Sequence, residues 1–186
     1  MVPTGRCRLG PDTDRIMLRT FRDGLASQAG HDLTIEVTIW NGELTMGEKG
    51  VPIALEVRIQ MDSLAVREGV RGIKPLTDRD RREIAYTARR LLTSDRNPEA
   101  VYTADRFEAK NGGGVVEGTF TLAGTSQPLG LEVTETGPDR YRATTTVVQS
   151  AYGIRPYKAF LGALKVRDGV DVEVEIDMSA PEKSEE

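Results

Sequence analysis

The 186-residue sequence predicts an all-β fold with one amphipathic helix, in which antiparallel sheet encloses an apolar interior. Three observations predict it. Apolar and polar residues alternate with period two over several segments, a single segment has helical period, and clusters of Gly, Asn, Asp and Pro separate the pieces. Side chains on a strand point to opposite faces in turn. Each alternating segment therefore has one dry and one wet face, as antiparallel sheet does when water lies on one side only.

In chain order, residues 16–21 form a weak strand. Leu33, Ile35, Val37 and Ile39 then alternate with Thr34, Glu36 and Thr38, and Asn41-Gly42 reads as the turn that follows. Ile53, Leu55, Val57, Ile59 and Met61 form a second apolar row. Residues 77–92 break the period: Ile84, Ala88, Leu91 and Leu92 fall on one helical face. Thr77 can cap this helix with Asp80 at capping-box spacing, and Asp78 lies near the positive end of the dipole with Arg82 four residues on. Weaker strands follow over 100–110, 115–122, 129–136, 140–149 and 161–167. They are separated by Asn111-Gly112-Gly113-Gly114, Gly137-Pro138-Asp139 and Asp168-Gly169. Val170, Val172, Val174, Ile176 and Met178 form the last row. Some eight or nine strands at this spacing make a sandwich or a barrel, and the lone helix must lay its apolar stripe on a barrel mouth or a sheet face. One domain is expected over 1–179, with 180–186 a disordered tail.

Composition narrows the function classes. The net charge of −4 provides no general field for nucleic acid, and the arginines are scattered among acids. No run of some eighteen apolar residues offers a membrane span. Residues 1–9 show no apolar stretch after a basic start, so the expected compartment is the cytoplasm. The single Cys7 excludes an internal disulfide.

Candidate chemistry is sparse. His31, the only histidine, stands beside Asp32. Neighbours on an extended strand face opposite ways, so the two are badly placed to act as a pair, and no Gly-x-Ser-x-Gly elbow accompanies them. A polar contact or a bond to a ligand head group suits His31 better. One His and one Cys cannot build a usual zinc site, and Asp12 and Asp14 read as turn residues. No metal is expected, and no cofactor beyond a bound lipid. The run Asp78-Arg79-Asp80-Arg81-Arg82-Glu83 is a solvated helix face, with an anion site as the weaker alternative. The segment Ala151-Tyr152-Gly153-Ile154-Arg155-Pro156-Tyr157 is either an ordered loop at a cavity mouth or a stiffened connection.

Several pieces in order resemble a known family. They are Gly30-His31-Asp32-Leu33, the strand over 55–62 ending in Ser63-Leu64, and Asn97-Pro98-Glu99-Ala100-Val101-Tyr102 after the helix. The most specific is Val116-Glu117-Gly118-Thr119-Phe120-Thr121-Leu122-Ala123-Gly124-Thr125-Ser126-Gln127-Pro128-Leu129, and Tyr152-Gly153-Ile154 follows. Together, over about residues 16–178, they resemble the YceI-like family of lipocalin-like barrels. The resemblance implies an elongated eight-stranded antiparallel barrel holding a long isoprenoid or other lipid chain, without catalysis. The chain departs from the family's pattern in its heavily charged helix, in Tyr102 where Phe is common, and in having no visible export signal. On this reading the ligand lies against His31, Leu33, Ile35, Val37, Leu55, Val57, Ile59, Ile84, Phe120, Leu131, Tyr152 and Tyr157. The alternatives are a hydrolase-like enzyme using His31 with Tyr152, Tyr157 or Arg155, and a packed barrel serving as an interaction module. Free strand edges also give a homodimer a place to form.

Overall fold

A computed structural model describes residues 5–179 and the backbone of 184–185. Its strands are β1 (Gly5–Leu9), β2 (Arg15–Thr20), β3 (Arg22–Asp23), β4 (Asp32–Val37), β5 (Trp40–Met46), β6 (Pro52–Gln60) and β7 (Leu64–Val70). Helix α1 (Asp78–Leu91) leads into β8 (Glu99–Lys110), β9 (Gly113–Leu122), β10 (Thr125–Gly137) and β11 (Arg140–Val148). The chain ends with β12 (Lys158–Ala159), β13 (Leu164–Val166), β14 (Gly169–Asp177) and β15 (Ser184–Glu185).

Several of these strands are halves of longer ones. β4 and β5 run on through a bend at Thr38-Ile39, and β6 and β7 through a turn at Met61-Asp62, so the four make one long bent hairpin. Backbone bonds from Thr38 N–H to Ser63 O (3.1 Å) and from Gln60 N–H to Ile39 O (3.0 Å) carry the pairing through the corner. With β1–β2 and β14–β15 likewise joined in pairs, the antiparallel ladders run β1–β2 to β4–β5 to β6–β7, then β8, β9, β10, β11 and β14–β15, and back to β1–β2. The circuit is an eight-stranded up-and-down barrel in sequence order, as the family resemblance implies. A small second sheet, β12-β13-β3, sits beside it.

The outer wall carries cross-strand ion pairs. Glu36 receives Arg15 (3.2 Å) and Arg67 (2.6 Å), and Arg58 bridges Glu56 and Glu99 at 2.7 Å each. Exposed pairs of this kind contribute about 0–1 kcal/mol each, so they define the wet face more than they hold it. Asp14 is buried in this wall. Its carboxylate accepts the N–H of Gly10 and the N–H of Asp177, both at 3.0 Å, and so ties the β1–β2 turn to the end of β14.

Helix α1 forms as its sequence predicts. Thr77 Oγ1 accepts the Asp80 N–H (3.2 Å) and Asp80 accepts the Thr77 N–H (2.8 Å), a complete capping box. The expected Asp78–Arg82 pair is replaced by Asp78 with Arg81 at 3.1 Å, while Arg79 bonds Glu83 at 2.9 Å.

Other expectations are corrected. Asn41-Gly42 is no turn but lies inside β5, where glycine suits a close approach to β1, since a Cβ there would lie 3.1 Å from the Leu9 Cβ. Ile39 is 58% exposed, because the bend shifts the inward parity from Val37 to Trp40. Ile53 is exposed near the hairpin tip as well. Residues 161–167 are not one strand: Phe160 and Leu161 adopt left-handed φ of 50° and 53°, and only Leu164–Val166 pairs. The tail expected to be disordered lies mostly outside the described residues, but Ser184–Glu185 extends the sheet along the free edge of β1.

Candidate functional site: an apolar barrel cavity

The inward faces of the strands do not fill the barrel. They surround a cavity of about 1040 Å³, at the upper end of the range for small-molecule sites. The inward aliphatics Leu55, Val57, Ile59, Val172, Val174 and Ile176 are only partly buried although they face the interior. A packed core would close over them. Their residual exposure is to the hollow.

Of the residues expected to contact a ligand, His31, Leu33, Ile35, Val37, Leu55, Val57, Ile59, Ile84, Phe120, Leu131 and Tyr157 all border the cavity. Tyr152 does not. It is 3% exposed and supports the wall from behind, its ring edge-on to Phe120 at 5.7 Å. The helix contributes Ile84, Ala88, Leu91 and Leu92, so its apolar stripe closes part of the lumen.

Sequence reasoning missed much of the lining, two aromatic groups among it. Trp40 is the only tryptophan, is buried in the wall, and finds no acceptor for its indole N–H among the described residues. Tyr102 fills the place where a Phe would serve, and its hydroxyl donates to the Leu129 carbonyl at 3.0 Å. Gly118 makes room for that ring, since a Cβ there would lie 2.6 Å from the Tyr102 hydroxyl oxygen. Burial, with Glu117 nearby, pushes the phenol up to about 12.

His31 and Asp32 part company. The His31 Nε2 bonds the Lys74 carbonyl at 2.6 Å, pinning the loop that leads from β7 to α1, and its ring lies over Gly72. The Asp32 carboxylate instead accepts the Arg22 N–H (2.9 Å) and meets Arg71 (3.4 Å). Neither contact orients the imidazole toward a nucleophile. Among the described residues, no group of three His, Cys, Asp or Glu side chains is placed to hold a metal ion, and no helix is long and apolar enough to cross a membrane.

The sequence profile of the YceI-like domain matches residues 20–178, nearly the whole barrel. The chain belongs to the YceI-like family. Solved structures agree on the fold of this YceI-like protein. Burkholderia cenocepacia BcnA superposes with a TM-score of 0.63 at 10% identity, over 87% of this chain and 94% of its own. A Campylobacter jejuni YceI protein that crystallizes with large solvent channels does so with a TM-score of 0.62 at 13% identity, over 82% and 85%. No curated protein matches the sequence. Family and fold are consistent with binding a hydrophobic ligand in the YceI-like barrel.

Proposed function

We propose that this YceI-like protein is a non-catalytic carrier that holds one long isoprenoid-like or fatty chain in its barrel. The observation that carries the reading is the continuous aliphatic lining of a cavity of about 1040 Å³. Each buried methylene contributes about 0.8 kcal/mol, whereas association costs about 4–15 kcal/mol in lost freedom. A chain of about eight carbons barely offsets that cost, and one of about fifteen or more leaves a surplus. The cavity wall has few polar groups with which to orient a small polar substrate, and His31 and Asp32 are engaged in structural contacts.

Native mass spectrometry of gently purified protein, followed by organic extraction, tests the proposal. A long-chain adduct, or uptake of an added lipid at one per chain, is expected. A barrel that is empty and takes up no lipid contradicts it.

A further inference from the structure

Three loops meet at one end of the barrel, over residues 24–31, 71–76 and 157–166. Ala26 N–H bonds the Ala163 carbonyl at 2.8 Å, and β3 pairs with β13. Gly30 abuts the Leu164 side chain, and His31 Nε2 holds the Lys74 carbonyl. Gly30, His31, Lys74, Pro75, Tyr157 and Leu164 also border the cavity, so these loops are its rim.

The rim exposes large apolar side chains that the fold does not use. Leu25 and Leu161 are fully exposed, Ile73 is 75% and Phe160 67% exposed. Isolated exposed apolar residues need no explanation, but four on adjoining loops around one opening do. Phe160 and Leu161 also occupy left-handed backbone, at φ 50° and 53°. L residues with bulky side chains rarely do so, and here the conformation gains no burial for either.

Charge around the rim runs against the rest of the molecule. Arg71 and Lys74 on one loop, and Arg155, Lys158, Lys165 and Arg167 on and beside another, outnumber the acids there, in a chain whose net charge is −4. Beside the rim lies a polar recess of about 390 Å³ lined by Arg22, Arg71 and Arg167 with Asp23 and Asp32. Among the described residues, no carboxylate forms an ion pair with the guanidinium of Arg22 or Arg167.

We propose that this rim docks on the surface of an anionic lipid bilayer, with Leu25, Ile73, Phe160 and Leu161 entering the headgroup boundary and the surrounding Lys and Arg residues meeting lipid phosphates. Apolar tips ringed by basic residues are the combination that interfacial binding requires, and each basic group near an anionic surface adds to the attraction until salt screens it. The occupant is an anionic bilayer because apolar tips and a surplus of basic groups share this rim, and because the loops that carry the tips also border the apolar cavity through Gly30, His31, Lys74, Pro75, Tyr157 and Leu164, which sets the barrel's interior beside the surface from which a chain would come. The route rests on the carrier reading; the docking itself does not.

The test is co-sedimentation of the full chain with phosphatidylglycerol–phosphatidylcholine vesicles and with phosphatidylcholine vesicles alone. Lipid uptake is followed separately, without vesicles, through quenching of Trp40. The expected result is association with the anionic vesicles that weakens as salt is raised, and at least a tenfold loss of it in Leu25→Ser/Leu161→Asn with uptake unchanged. Asn tolerates left-handed backbone, so this variant keeps its fold. Lys158→Gln/Lys165→Gln should weaken association and flatten its salt dependence. Failure of the unaltered protein to bind anionic vesicles, or equal binding by the Leu25→Ser/Leu161→Asn variant, overturns the proposal. So does a patch that instead pairs two copies of the chain, seen as a doubled mass in solution that Leu161→Asn abolishes. Vesicle binding without any lipid uptake would contradict the carrier reading and leave the docking surface standing.

Discussion

The barrel wall and the barrel rim use apolar side chains in opposite ways. On β6 and β14 the aliphatics face inward and line a hollow, while the ion-paired side chains of Glu56, Arg58 and Glu175 face out. On the rim, Leu25, Ile73 and Leu161 face water and cover nothing. The wall's apolar surface therefore both holds the barrel together and lines its hollow, whereas the exposed side chains of the rim do neither and are free for another task.

Substitutions can break this contrast, and the largest effect belongs to the wall. Val57→Glu places an unpaired carboxylate among aliphatics and should cost about 3 kcal/mol or more. Glu56→Val, one residue along on the wet face, removes only an exposed pair with Arg58 and should cost under about 1 kcal/mol. Urea denaturation of both decides the facing, and equal losses would refute it.

Tyr102 tests the wall by pH. Its folded value of about 12 lies above the ordinary 10.0. The neutral phenol therefore contributes stability that is intact below pH 10.0 and is lost as pH rises toward about 12. In ultraviolet difference spectra Tyr102 should ionise at about 12, well above the ordinary 10.0. Tyr102→Phe should cost about 1 kcal/mol at neutral pH through the lost bond to Leu129, and its deficit should shrink in alkali.

The helix cap should give a smaller, local effect. Thr77→Ala removes the capping box and should cost about 1 kcal/mol, read as faster amide exchange in the first turn of α1. The Thr77 bonds hold the Asp80 carboxyl below its ordinary range. That contribution is present above pH 3.8 and is lost as acid protonates the group, so the penalty of Thr77→Ala should fade there. Smallest of all, Leu25→Ser and Leu161→Asn should change stability by no more than about 0.5 kcal/mol. A large loss from either would place the rim in the core and end the contrast.

What could be read in advance follows the same division. Rows such as 55–59 and 170–176 were legible because alternation survives along one strand, and α1 because its period and cap agree. The corner at Thr38-Ile39 was not, since one change of parity exposes Ile39 and turns Trp40 inward. β5 was hidden by Asn41-Gly42, a turn signal that here serves the close approach of Leu9. In β1 the buried Cys7 and Leu9 alternate with the exposed Arg6 and Arg8, but a five-residue alternation is a weak signal. The lining residues on the long rows were legible, because facing follows from period. Tyr152 was not, because its segment is a tight turn with no period to read. Nothing in the composition of the rim distinguishes exposed Phe160 and Leu161 from strand residues. Only their left-handed backbone does.

The central claim is that the wall encloses a site for a long apolar chain, and Trp40 in that wall is its own reporter. Titration of Trp40 emission with bromine-labelled fatty chains of increasing length tests the claim most directly. The account predicts saturable quenching at one chain per barrel for about fifteen carbons or more, and little for about eight. Absent quenching, or quenching indifferent to chain length, would contradict it.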